Sequence, residues 1–192
     1  MRFLNLLLIA LCLTVGTGCT TLLSEATGPT GIQENPGKRT TGARIEDEFI
    51  ETKIAVNMKS QEPEFRNANF DVVSHNGVVL LVGQVQSEQL KQRATEIASE
   101  ASSKIKRIHN ELEVSGKTGL LSRSNDAWIS TKVRTQLLAD ESVPSGQVKV
   151  ITENGSVFLM GMVNQLQGDN AAALARNIGG VTRVVKVFEY IN

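Results

Sequence analysis

The sequence has no net charge and very few aromatic, histidine or cysteine residues. Its 192 residues include 20 Lys and Arg against 20 Asp and Glu, and aromatic residues make up 4%, with one Trp and one Tyr. A neutral chain lacks the basic surface that duplex nucleic-acid-binding proteins use. Two His and two Cys leave little material for a metal site built from several such ligands. We therefore expect neither a nucleic-acid partner nor a metal site.

Motifs for catalysis are also missing. Neither His75 nor His109 has a Cys or a second His at ligand spacing, and the acidic residues are scattered through caps and turns. No Gly-x-Ser-x-Gly nucleophile motif is present. Gly83 and Gly161 do not belong to a phosphate loop, and each is expected to relieve crowding late in a strand. These absences argue against an enzyme and against a cofactor.

The beginning of the chain predicts export. Met1-Arg2 precedes an apolar run, Phe3 to Val15, that is shorter than the roughly 20 residues a membrane span needs but suits a secretory signal. The small residues before Cys19 resemble the lipobox of bacterial lipoproteins, although Gly16 stands where that motif usually has Leu. This predicts a signal peptide over 1–18 and a lipidated Cys19. The alternative is an ordinary secreted protein in which Cys19 occurs by chance.

Residues 19–44 are rich in Gly, Pro and Thr and show no apolar period, which predicts a flexible tether. Several acyl chains on Cys19 would hold the chain on a bilayer durably. Thr20, following the Cys in place of Asp, indicates sorting to the outer membrane.

Two later stretches share one design. In Phe70–Val85 and Val148–Val163, apolar strands flank an Asn-Gly pair, at Asn76-Gly77 and Asn154-Gly155, and an offset of 78 superimposes them. Asn-Gly supplies the positive φ angles of a type I′ turn, so each stretch predicts a β-hairpin. The repeat is too long for a solenoid and indicates one small domain used twice.

The flanking patterns agree in both copies. An apolar stripe at four-residue spacing precedes each hairpin, and an Ala-rich helix and a final strand follow it, at 87–102 and 104–114 in the first copy. The modules are predicted at 45–115 and 124–192, with a linker at 116–123, and Ser124-Asn125-Asp126 reads as helix caps. The later helix and strand of the second copy are predicted at 170–178 and 181–191. The stripe residues are Ile50, Ile54, Met58, Ile129, Val133 and Leu137.

The second strand of each hairpin is apolar on both faces, at Val78–Val82 and Val157–Met160, which is typical of the middle of a sheet. The following helix would cross over to a parallel third strand. We predict an α+β fold of two αββαβ modules, each a three-stranded mixed sheet with two helices on one face. The other face is expected to be partly covered by the sister module.

Two αββαβ modules whose central strands end in Gly83 and Gly161 resemble BON domains. The whole chain resembles the outer-membrane BON lipoproteins of the DolP (YraP) family, most clearly in Ser124–Leu138 and Thr152–Gly161. The resemblance implies a lipid-anchored protein that faces the periplasm, binds anionic phospholipids, concentrates at division sites and supports outer-membrane integrity. It also implies that the lipid contact belongs to the first helix of the second module.

At about 100° per residue, Ile129, Val133 and Leu137 define the core side of that helix. Trp128 then lies on the outward face, which suits a bilayer interface. Phe49 occupies the matching position of the first module, so an alternative is that this aromatic residue packs within the protein. The outward strip predicted to contact phosphatidylglycerol or cardiolipin comprises Trp128, Thr131, Lys132, Arg134, Thr135 and Leu138.

A second hypothesis stays open. The chain could be an adaptor whose hairpin faces and first module bind an envelope protein. Lipid binding that survives replacement of Trp128 by Glu would favour it.

Overall fold

The structure is a computed structural model and describes residues 35–116 and 119–192. The predicted signal peptide, Cys19 and the tether as far as residue 34 lie outside the described residues. Within the described part, no helix is both long enough and apolar enough to cross a bilayer.

The first module contains two helices and one sheet, in the order helix, strand, strand, helix, strand. Helix α1 (Thr41–Gln61) leads through a short 3-10 turn to strands β1 (Asn69–His75) and β2 (Val78–Val85). Helix α2 (Glu88–Ala101) then precedes β3 (Arg107–Val114). Strand β2 lies in the centre, antiparallel to β1 and parallel to β3.

The second module repeats this order. Helix α3 (Leu120–Ala139) is followed by β4 (Val148–Glu153) and β5 (Ser156–Val163). Helix α4 (Gln165–Arg176) and β6 (Arg183–Tyr190) complete the module, with β5 at the centre of the sheet. The predicted α+β fold of two αββαβ modules is confirmed.

Both hairpins turn at their Asn-Gly pairs, as predicted. Asn76 and Asn154 have φ angles of 53° and 48°, and Gly77 and Gly155 have φ angles of 77° and 75°. Two successive positive φ angles define the type I′ turn, whose twist matches that of the adjoining strands. The turn therefore sets the register in which each pair of strands meets.

Each module has its own core between its helices and its sheet. In the first, Ile50, Ile54 and Met58 pack against Val79 and Leu81 of β2. In the second, the corresponding stripe of Ile129, Val133 and Leu137 packs against Val157 and Leu159 of β5, and all six stripe residues are at most 1% exposed.

A third core lies between the modules, because the helix-free faces of the two sheets pack on each other. Alternate residues of β2, namely Val78, Leu80 and Val82, meet Phe158 and Met160 of β5, together with Val187 of β6. A strand buried on both faces reads as a continuous apolar run, which explains the composition of β2 and β5. The prediction that the sister module partly covers each open face is confirmed.

Polar contacts surround this apolar seam. Asn76 Nδ2 donates to Glu189 Oε2 at 2.6 Å, and Lys106 Nζ forms an ion pair with Glu189 Oε1 at 2.8 Å. Gln84 Nε2 donates to Glu153 Oε1, and this hydrogen bond joins β2 to β4. The modules are thus held together by an apolar centre with polar contacts at its rim.

The predicted caps of the second module's first helix are wrong. Helix α3 begins at Leu120, inside the segment predicted as a linker, with Gly119 as its N-cap residue. Asp126, 6% exposed, instead accepts hydrogen bonds from the backbone N–H groups of Asn154 and Gly155. Its carboxylate holds the hairpin turn against the helix. The acid thus lies nearly two turns inside α3 and makes tertiary hydrogen bonds instead of capping the helix.

The other element boundaries also shift. Helix α1 begins at Thr41 rather than near Ile45, capped by the Thr40 hydroxyl. Helix α4 spans Gln165–Arg176 rather than 170–178, because Asn164 and Gln167 form a capping box that starts it earlier. Both third strands begin later than predicted, at Arg107 and Arg183.

Candidate functional site

The outward face of α3 exposes large apolar side chains. Trp128 is 60% exposed and Leu138 is 75% exposed, whereas the core-facing Ile129 and Val133 are fully buried. The indole is therefore not enclosed between the two modules. Exposed apolar residues of this size, grouped on one helix face, are a feature of surfaces that contact membranes or proteins.

A cation lies directly beside the exposed indole. Lys132 Nζ is 5.1 Å from the centroid of the Trp128 ring, within the range of a cation–π interaction. Lys132 follows Trp128 by one helical turn, so the two side chains share one edge of the strip. This pairing places a positive charge where an apolar ring can enter the interface of a bilayer.

A shallow groove of about 370 Å³ runs along this face, between α3 and the end of α4. The hydroxyls of Thr131 and Thr135 donate to the carbonyls of Ala127 and Thr131, at 2.9 and 3.0 Å. The hydrogen of each hydroxyl is thus used within the helix, and each oxygen keeps only acceptor capacity. The groove is lined by Trp128, Thr131, Lys132, Thr135, Gln136, Asn177, Ile178 and Gly179.

The structure brings four of the six predicted site residues together and places two outside the groove. Leu138 extends the strip at its C-terminal end without lining the groove. Arg134 Nη2 donates to the Val150 carbonyl at 2.8 Å, so its guanidinium is directed to β4. Lys132 is therefore the cation of the groove.

One wall of the groove was missed by sequence reasoning. Asn177, Ile178 and Gly179 follow α4, and the sequence predicts only that a helix over 170–178 ends at this point. Nothing in the residues themselves indicates proximity to Trp128. The contact arises because α3 and α4 pack side by side on one sheet face.

The outward face of α1, which is equivalent to that of α3, exposes a different set of apolar residues. Ile45, Phe49 and Val56 are 51%, 64% and 55% exposed and lie on the outward face of α1. The exposed Glu48 stands beside Phe49, where α3 has Ala127. The carboxylate of Glu48 would be repelled by an anionic membrane, whereas the ammonium of Lys132 on α3 would be attracted to it.

Neither histidine lies in surroundings that are typical of a metal site. Burial, together with the nearby charge of Arg39, lowers the pKa of His75 to about 4, and burial lowers the pKa of His109 as well. Both rings are therefore neutral at pH 7. Across residues 35–116 and 119–192, no group of three or more His, Cys, Asp or Glu is arranged to hold a metal ion.

Comparison with known proteins identifies the fold family. The BON domain family model matches residues 46–116 and 125–192. The chain belongs to the BON-domain family. Each matched range covers one αββαβ unit of the structure apart from the first five residues of its first helix, so each unit is one BON module.

Named relatives extend over most of the chain. It is 40% identical to the outer membrane lipoprotein DolP of Haemophilus influenzae over 80% of this chain and 79% of that protein. It is 39% identical to a 21 kDa hemolysin of Actinobacillus pleuropneumoniae, over 80% and 78% of the two chains. Identity to the osmotically-inducible protein Y of Escherichia coli is 29%, over 74% and 72%. Within the BON proteins, this chain is a member of the DolP family.

Proposed function

We propose that this protein is an outer-membrane lipoprotein that binds anionic phospholipids through α3 of its second BON module. The acyl chains on Cys19 attach it to the periplasmic face of the outer membrane, and α3 adds a second contact. In this role it localises to division sites and supports outer-membrane integrity. No catalytic step is part of the proposal.

The observation that supports it is the exposed Trp128 beside Lys132. Indole is favoured at the interface of a bilayer, and a neighbouring ammonium can meet lipid phosphates there. The groove next to the ring offers Thr131 and Thr135 oxygens and the amide of Asn177 for polar parts of a head group. On α1 the lysine at the matching position, Lys53, donates to the Ala101 carbonyl at 3.1 Å, so its ammonium is engaged within the protein.

The two contacts reinforce each other. A single weak contact with a head group holds a domain on the membrane only briefly. A domain tethered to the membrane, however, meets the lipid at high effective concentration. The α3 surface can therefore be weak in solution and still be occupied at the membrane. Its contribution is to set which lipids, and which membrane regions, the tethered protein prefers.

Replacing Trp128 with Glu tests the proposal. The chain from Thr20 onward, which keeps the whole compact unit Pro36–Asn192, is titrated with phosphatidylglycerol or cardiolipin micelles and followed by NMR. We expect binding to weaken tenfold or more, because burying a large apolar side chain is worth roughly 1.5–3 kcal/mol. Zwitterionic micelles should bind the unmodified chain more weakly than anionic micelles do.

The matched control is Phe49→Glu, which makes the same change at the equivalent, equally exposed position of α1. It should alter micelle binding by less than twofold and leave the spectrum of a folded protein. Equal losses in the two variants, or unchanged binding of Trp128→Glu, would contradict the assignment of the lipid contact to α3.

A second candidate function rests on the stripe of Ile45, Phe49 and Val56 on α1. Three exposed apolar residues on one face, with Glu48 beside them, are also suited to a protein partner. In that case the chain acts as an envelope adaptor through its first module. The adaptor role gains support if Phe49→Glu, rather than Trp128→Glu, removes activity in cells while lipid binding persists.

A further inference from the structure

Three basic side chains converge on a cavity at the seam between the modules. The cavity measures about 350 Å³ and is lined by Gly37, Lys38 and Arg39 just before α1, by Arg44 of α1 and His75 of β1, and by Gly146 and Gln147 just before β4. It shares no residue with the groove beside Trp128. We propose that this cavity binds a phosphate-bearing anion, either a lipid head group or a free phosphate ester.

Arg39 is held in position by a buried partner. Its Nη1 is 2.6 Å from Asp47 Oδ2, and the two side chains are 16% and 3% exposed. This ion pair fixes the guanidinium plane and occupies only one of its five N–H donors. The remaining N–H donors belong to a side chain whose conformation is already fixed. Binding a ligand therefore costs little additional side-chain entropy.

The cavity carries excess positive charge. Asp47 compensates one of the three cations, and the side chains of Lys38 and Arg44 make no hydrogen bond or ion pair with another described residue. Two positive charges therefore remain, enough to neutralise either the singly charged phosphodiester of a lipid head group or a phosphate monoester, which carries about −1.5 to −2 at pH 7. A guanidinium also presents a fork of donors that fits two phosphate oxygens at once.

His75 supplies an independent sign of an incomplete site. The residue is 9% exposed and lines the cavity, and its Nδ1 is buried without a hydrogen-bond partner among the described residues. An unpaired buried polar atom is rare and costs free energy. The charged groups that act on the ring are Arg39, Asp47, Lys149 and Glu189, and the ring itself stays neutral at pH 7.

The test uses a soluble ligand without a bilayer. The chain from Thr20 onward is titrated with glycerol phosphate, and the backbone amides of residues 37–44 and of His75 are followed by NMR. We expect saturable shifts confined to the cavity, and none with glycerol. The double variant Lys38→Ala, Arg44→Ala should weaken binding tenfold or more, without disturbing the pair of Arg39 and Asp47.

The matched control removes two charges elsewhere on the same module. Lys91 and Arg107 lie on α2 and β3, outside the cavity, so Lys91→Ala with Arg107→Ala should change glycerol phosphate binding by less than twofold. Similar losses in both double variants would reduce the effect to general electrostatics and overturn the proposal. Unsaturable shifts, or none, would overturn it as well.

Vesicles then separate the two sources of phosphate. In the Trp128→Glu background, phosphatidylglycerol vesicles should displace glycerol phosphate if the ligand is a head group, whereas phosphatidylcholine vesicles should not. If neither kind of vesicle displaces glycerol phosphate, the result supports a free phosphate ester as the ligand. Glycerol phosphate binding should survive Trp128→Glu. The proposal for the cavity and the proposal for the α3 surface can therefore be contradicted independently.

Discussion

Replacing Gly83 with Ala is expected to lower the free energy of unfolding by on the order of 4 kcal/mol. A Cβ at this position would lie 2.2 Å from the Asn69 carbonyl oxygen and 2.6 Å from the Phe70 Cα, and both are backbone atoms. The φ angle of Gly83 is 122°, which a residue with a Cβ rarely adopts. Strain and overpacking each cost about 1–3 kcal/mol, so together they threaten the stability of one small module.

Urea unfolding of the chain from Thr20 onward, followed by circular dichroism, measures this loss. The control is Gly116→Ala, because nothing lies within 4 Å of the added Cβ. It should change stability by less than about 0.5 kcal/mol, as surface substitutions usually do. A loss below about 1 kcal/mol for Gly83→Ala would show that β1 can move away from β2 at this point.

The change Asp47→Ala should cost about 3–5 kcal/mol, the usual penalty for breaking a buried charge pair. The carboxylate accepts from the Ser74 hydroxyl at 2.6 Å and from the N–H groups of Asn76 and Gly77 at 2.8 and 2.9 Å, besides pairing with Arg39. Its removal leaves the turn amides and the guanidinium without their acceptor. The exposed Asp71→Ala is the matched control and should have little effect on the free energy of unfolding.

The Asp47 effect should also depend on pH. Burial raises the pKa of Asp47, but hydrogen bonds from Ser74, Gly77, Arg39 and Asn76 outweigh it and hold the pKa below its ordinary value of 3.8. A lowered pKa in the folded state means that the carboxylate stabilises the protein above pH 3.8, and that this is lost as the pH falls further. The difference in unfolding free energy between the wild-type chain and Asp47→Ala should therefore be constant from pH 5 to 7 and shrink below pH 3.8.

The repeat explains why so much of the fold could be predicted. Asn76-Gly77 and Asn154-Gly155 determine the turn by their backbone chemistry, and the apolar runs of β2 and β5 exceed what one buried face requires. The surplus apolar face had to be covered, and the sister module covers it. Local chemistry and burial pattern thus determined the element order and the packing of the sheets.

The helix starts could not be predicted in the same way. Asp126 has the side chain of a cap, yet its acceptors are used by the hairpin turn 28 residues later in the chain. The same holds for Asp47, whose partners include an arginine before the helix and the turn after β1.

The candidate site was predicted in part for a related reason. Helical periodicity places Trp128 opposite Val133, so its exposure follows from the core alone. The direction of Arg134 depends on a carbonyl of β4 that no pattern reveals, and the cavity beside His75 depends on residues from both modules. Features defined by one helix were accessible from the sequence, and features defined by the docking of elements were not.

Because the sheets stack back to back, the four layers run helices, sheet, sheet, helices, and α1 and α3 lie on opposite outer sides. Phe49 and Trp128 therefore cannot rest on one flat bilayer together. A chain that contacts lipid through Trp128 would present the stripe of Ile45, Phe49 and Val56 to the aqueous compartment. That stripe would then remain free to bind a second partner. Duplication of one domain has in this way given the molecule a front and a back with different chemistry.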